Sequence, residues 1–275
     1  MLRTHKGFRT FLCLVTVLAL MFTSYSAFAE APPPFDDFLL EAGVPLDIIE
    51  TMPIGQKQMI FEKIGNNRHA VFSGYDSREY HLNIDGELKP ETERGGIQTY
   101  GGLIPPSDLT LSVIGFTFDV SDTAGNTWKE YAVFPSFIWN KLVKVKNDSF
   151  AMSMYPGWEA VPGERNLCLH LMNSQGQSAQ QVDITPNDSD YSGYAYKIPS
   201  NIGALQGSYQ GHAYYQLEKK DPNASPRISL KYAHDYSAFC ELSYSLDVGG
   251  FGSISIVGDV SKIDTMSDNF YVSGL

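Results

Sequence analysis

Cys168 and His170 stand two residues apart among leucines, which on a strand puts a thiol and an imidazole on one face. With His212 and His234 elsewhere in the chain, they are the residues nearest to a soft-metal set or a thiol nucleophile. A metal needs three or four such donors converging, and a nucleophile needs a thiolate beside a base. Neither HExxH nor CxxC occurs, so no metal site and no cofactor is expected. No G-x-S-x-G elbow occurs either, because Gly252-Ser253 lacks its second glycine. A thiol among leucines is expected to behave as a small, inert hydrophobe. In an exported chain, however, Cys168 and Cys240 can oxidise. The loop of about 73 residues between them would then contribute about 4 kcal/mol. Two separate buried thiols are the alternative.

Oxygen donors gather at two turns. Asp188-Ser189-Asp190-Tyr191-Ser192-Gly193 follows the first half of a calcium loop, but the position that must carry a bidentate Glu is Pro199. A polar turn is expected there, and an Asp/Asn hairpin loop at Asp119, Asp122 and Asn126. Glycoside hydrolysis needs two carboxylates across a cleft, for which Glu130, Glu159, Glu164 and Glu218 are available. Sugar binding needs a flat aromatic face. The chain holds 16 tyrosines and three tryptophans, and Trp158, Tyr155, Trp128 and Trp139 are the candidate ligand contacts. Trp158 leads, because Tyr155-Pro156-Gly157-Trp158 reads as an exposed loop. For Trp128 and Trp139, packing in the core or at a sheet edge competes with that role.

The elements that must position these residues are mostly strands. Ile114, Phe116, Phe118 and Val120 alternate, as do Leu167, Leu169 and Leu171. So do Ile228, Leu230, Tyr232 and His234, and Cys240, Leu242, Tyr244 and Leu246. Turn residues separate the runs, at Asp85-Gly86, Gly125-Asn126, Asp221-Pro222-Asn223 and Gly249-Gly250. The pattern predicts a mainly β fold over residues 68–275, an antiparallel β-sandwich or open barrel, with a long loop from Glu87 to Pro106. An immunoglobulin domain is disfavoured, since all three tryptophans precede Cys168.

Residues 35–67 read as a small N-terminal helical segment. Phe35, Phe38, Leu39 and Ala42 have helical spacing and Gly43 is a natural stop. Pro45 suits a first helical position ahead of Leu46, Ile48 and Ile49, and Pro53 interrupts before a third helix with Met59, Ile60 and Ile64. Helices this short must pack on one another or on the β body. With Leu39, Leu40, Gly43, Ile48, Ile49, Met52-Pro53, Lys57 and Ile60, residues 35–66 resemble a short helical module of uncharacterised secreted Gram-positive bacterial proteins. That resemblance implies an exported bacterial context and no particular activity.

The N-terminus agrees with export. Arg3, Lys6 and Arg9, the apolar run Phe11–Phe22 and the small-x-small site Ala27-Phe28-Ala29 predict a signal peptide over residues 1–29. Residues 30–34 form a Pro-rich spacer. The apolar run Phe11–Phe22, about twelve residues long, is too short to cross a bilayer as a helix and no second, longer one exists, so no transmembrane segment is expected after cleavage. The formal net charge of −11 becomes more negative once the three leader cations leave, which excludes nucleic acid as a partner. The expected protein is a secreted or cell-surface binding or interaction module without catalysis, its unknown ligand a glycan or a protein. A secreted hydrolase of glycans is the alternative, and a secreted inhibitor or immunity-type protein the second alternative.

Overall fold

The computed structural model describes residues 35–66, 69–82, 88–90, 108–140, 148–172, 178–184, 188–189, 193–198, 209–235, 243–247, 253–257 and 263–275. The expected signal peptide (1–29), the spacer (30–34), Cys240 and most of the long loop 87–106 lie outside the described residues.

Three short helices come first: α1 (Phe35–Glu41), α2 (Leu46–Thr51) and α3 (Ile54–Ile64). Gly43 ends α1 with φ +88°, a conformation that costs a glycine little, and Val44 N–H donates back to the Leu39 carbonyl at 2.9 Å. Pro45 and Pro53 stand at the N-caps of α2 and α3, with φ of −57° and −60°, one residue ahead of the first-turn position expected for Pro45. Proline suits these places because the N–H it lacks would have no helical acceptor.

The strands are β1 (Val71–Leu82), β2 (Leu88–Pro90), β3 (Leu109–Ser121), β4 (Thr127–Trp139), β5 (Ser149–Met154), β6 (Trp158–Met172) and β7 (Ser178–Ile184). They continue with β8 (Asp188–Ser189), β9 (Gly193–Lys197), β10 (Tyr209–Lys219), β11 (Arg227–Asp235), β12 (Ser243–Asp247), β13 (Ser253–Val257) and β14 (Ile263–Tyr271). A seven-stranded sheet has the order β2-β1-β3-β4-β10-β6-β7, and a five-stranded sheet the order β14-β11-β5-β9-β8. Each registered pair is antiparallel. The fold is therefore mainly β, two antiparallel sheets face to face, with the helical region ahead of the strands.

Period-two alternation gives the large sheet two buried faces. Leu109, Leu111, Val113, Val133, Phe137, Leu167, Leu169 and Tyr215 point inward against Phe150, Met152, Tyr196, Ile228, Leu230 and Tyr232 of the small sheet. The outer residues Ile114, Phe116, Phe118, Ala132, Phe134, Cys168 and Tyr214 pack with Leu39, Ile49, Met59, Ile60 and Ile64 of the helices. The order is helices, large sheet, small sheet. Leu39 and Ile60 are fully buried, and each such side chain contributes about 2 kcal/mol of transfer free energy. Gln56, also buried, donates from Nε2 to the Phe134 carbonyl at 3.3 Å, fixing α3 over β4.

Candidate functional site

The helices cover one end of the outer sheet face and leave the other open. At the open end, next to the β3–β4 hairpin, stands Trp128, 39% exposed. Its Nε1–H donates to Glu130 Oε1 at 2.8 Å, two residues along the same face. Glu130 is buried, and its other oxygen accepts from Gln216 Nε2. The Tyr214 hydroxyl donates to Gln216 Oε1 at 2.8 Å, and Lys63 of α3 lies 5.0 Å from the Tyr214 ring centre. The indole is thus held by a chain of polar contacts that reaches the helices.

The register adds carboxylates to this end. Leu217 pairs with Tyr131, so Glu218 and Glu130 follow as the next positions on neighbouring strands, and Glu218 pairs with Glu159. Lys220 contacts the Glu218 carboxylate and lies 3.8 Å from Glu159, and the Glu218 hydrogen bond raises its ammonium pKa above the ordinary value. Glu164 falls within β6, but its side chain is not described. The hairpin itself is closed by Asp122, whose carboxylate accepts from the Ala124 and Asn126 N–H groups and from Asn126 Nδ2. The Asn126 bonds lower its pKa, and the carboxylate is occupied by its own turn.

The covered end carries the thiol and two imidazoles. His212 on β10 pairs across strands with Cys168 on β6, and Cys168 pairs with Asp183 on β7. The His170 and His212 rings are 5.4 Å apart. A cleft of about 190 Å³ between α3 and the β6–β7 edge is lined by Gly55, Glu62, Lys63, Cys168, His170 and Asp183, among others. Burial pushes the Cys168 thiol up to about 12, so it stays protonated. Burial pushes His212 down to about 3, with His170 adding to the effect, and burial lowers His170 as well. Among the described residues no three His, Cys, Asp or Glu side chains are arranged to hold a metal ion.

One expectation needs correction. Trp158 is not on an exposed loop: it opens β6 and is 3% exposed. The turn before it is clamped by the one at 220–225, through Lys220 N–H to the Gly157 carbonyl at 2.8 Å and Trp158 Nε1–H to the Ser225 carbonyl at 2.9 Å. The indole then packs edge-on against Tyr131, with ring centres 4.9 Å apart. Cys168 does not face the space between the sheets. It is a free, buried thiol on the outer face, under the helices. The alternation with Leu167 and Leu169 placed it on the opposite side from those leucines, and helical cover makes that side buried too. Cys240, the other half of the disulfide weighed above against two free thiols, lies outside the described residues.

Trp139 is fully buried, and its Nε1–H donates to the Tyr232 hydroxyl at 3.0 Å. Half-buried Tyr155 donates its hydroxyl to Asn269 Oδ1 at 3.4 Å. Trp128 is the one of the three tryptophans that presents its ring to solvent. Sequence reasoning also missed a buried polar cluster inside the sandwich. There Asp148 Oδ2 accepts from Tyr209 at 2.5 Å and Tyr232 at 2.6 Å, and lies 2.9 Å from His234 Nδ1. An apolar strand ending in His234 was the only trace of it in the sequence.

No protein-family model matches the sequence, and no curated relative does. Among solved structures, a collagen-binding domain of a Staphylococcus aureus adhesin aligns at 11% identity and a TM-score of 0.29, over 55% of this chain and 93% of that one. The major pilin subunit BcpA of Bacillus cereus aligns at 8% identity and a TM-score of 0.27, over 70% of this chain and 80% of that one. The pilus backbone RrgB of Streptococcus pneumoniae aligns at 10% identity and a TM-score of 0.28, over 73% and 80%. At such scores nothing is carried from those proteins to this one. Among the described residues, no helix is long and apolar enough to cross a membrane.

Proposed function

We propose that this chain is an exported, non-enzymatic binding protein whose ligand, a carbohydrate, stacks on Trp128 at the open end of the outer sheet face. The observation that carries the reading is the fixed, half-exposed indole, oriented by Glu130 and flanked by Gln216, Glu218 and Lys220. An aromatic face binds the apolar side of a sugar ring, and polar side chains around it serve the hydroxyls. Export is supported by the leader-like N-terminus and by the resemblance of residues 35–66 to a module of secreted proteins. The protonated Cys168 thiol favours binding over thiol catalysis.

Hydrolysis of glycans is the second reading, favoured by the adjacent positions of Glu130 and Glu218. Against it, Glu130 has both oxygens engaged by Trp128 and Gln216. Co-sedimentation with a panel of insoluble polysaccharides tests the proposal. The intact chain should be retained by at least one, and Trp128→Ala with an unchanged melting temperature should not. Equal retention of both proteins, or none of either, defeats it. Release of new reducing ends that ceases in Glu218→Gln would favour the hydrolase.

A further inference from the structure

His212 is fully buried, and neither of its ring nitrogens has a hydrogen-bond partner. A buried polar group in that condition costs free energy even when neutral, and far more when charged. Its surroundings hold little to stabilise an imidazolium. On β4 it faces Ser136, whose hydroxyl is engaged with Ser112 at 2.7 Å. On β6 it faces the Cys168 thiol and the His170 ring. The carboxylates of Asp183 on β7 and Glu62 on α3, which favour a charged His170 but are outweighed by its burial, line the cleft beyond, together with the cation of Lys63.

The cover over this pair is α3. A Cβ at Gly55 would come within 2.9 Å of the His170 ring, so the helix backbone rests directly on the imidazole. Helices and outer face form one apolar cluster, while the inter-sheet residues form another. The first can therefore open while the second stays intact. We propose that α1–α3 are an acid-released cap: protonation of His212 and His170 lifts the helices off the sheet while the sandwich remains folded.

The direction follows from linkage. Above about pH 6.5 both imidazoles are neutral whether the cap is closed or open. Below it, the open form binds a proton that closed His212 refuses down to about 3, so opening gains close to tenfold per pH unit for that group. His170, lowered in the same direction by burial, adds to the slope, and its second charge near the first repels it. Release would uncover Phe116, Phe134 and Tyr214.

Hydrogen exchange on the whole chain between about pH 7 and pH 4.5, corrected for intrinsic rates, tests the cap. Protection of the α3 amides should fall by up to about tenfold per pH unit or somewhat more, while β10 and β11 keep theirs. In His212→Phe, which keeps a flat ring without a titrating group, the slope should flatten markedly. The proposal is overturned if α3 protection does not change with pH, or if helices and strands lose protection together. It is also overturned if a folded His212→Phe retains the full slope. Should that variant fail to fold, the comparison of α3 with β11 in the unmodified chain decides alone.

Discussion

Asp148 and His234 meet inside the sandwich, Oδ2 to Nδ1 at 2.9 Å, although 86 residues separate them in sequence. The contact joins the start of β5 to the end of β11, and the hydroxyls of Tyr209 and Tyr232 converge on the same carboxylate oxygen. Trp139 completes the cluster by donating to Tyr232. Since Tyr209 belongs to the large sheet and Tyr232 to the small one, Asp148 ties the two sheets together through polar bonds at their apolar interface.

Replacing Asp148 with Ala should therefore remove the acceptor shared by two buried tyrosine hydroxyls and the carboxylate partner of His234. A loss of about 3 kcal/mol is expected, at the scale of a broken buried charged network. Urea denaturation of the two proteins measures it. A difference below about 1 kcal/mol would mean that water or a rearranged tyrosine replaces the carboxylate.

The same cluster sets the alkaline limit of stability. Burial, with the Asp148 charge adding to it, holds the Tyr209 and Tyr232 hydroxyls well above their ordinary value of 10.0. The folded chain keeps protons that the unfolded chain releases, so stability is full below about pH 10 and falls as pH rises beyond it. Ultraviolet titration should show a set of buried tyrosines, Tyr209 and Tyr232 among them, that ionise only as the chain unfolds. In Tyr209→Phe/Tyr232→Phe that late step should shrink by two tyrosines.

The sandwich and the helical segment were legible because period two and period 3.6 each bury a face. What alternation could not tell was which side of the large sheet the helices cover. Leu167 and Cys168 both looked like core residues, and both are, but on opposite faces. Trp158 misled for a related reason. Pro156-Gly157 marks a turn correctly, yet the partner that buries the indole, residues 220–225, lies far along the chain. Trp128 became distinguishable from Trp139 only through register, since a strand end beyond helical cover has no local signature.

The helical segment should contribute to global stability, because its apolar face has nowhere else to go. Ile60→Ala removes a fully buried side chain between α3 and the sheet, and a loss of about 2–5 kcal/mol is expected. Thermal melts should show it as a single lowered transition near neutral pH. An unchanged melting temperature would mean that the helices do not stabilise the sandwich.

The Cys168 thiol should be slow to modify in the folded chain. In a Cys240→Ser background, a maleimide at about pH 8 should label Cys168 only at the rate of opening, because a thiol pushed up to about 12 offers almost no thiolate and little access. Denaturant should make labelling immediate without a reductant. Rapid labelling of the native chain would show that the cleft admits reagents to the sulfur.

The central claim concerns Trp128 as a ligand platform, and fluorescence addresses it directly. Trp139 and Trp158 are buried while Trp128 is 39% exposed, so a polar quencher such as acrylamide reports chiefly on the proposed site. A soluble oligosaccharide matching the polysaccharide that retains the chain should protect this emission from quenching, saturably. Trp128→Phe should weaken the binding without changing the fold. Quenching that is identical with and without saturating oligosaccharide would contradict the account.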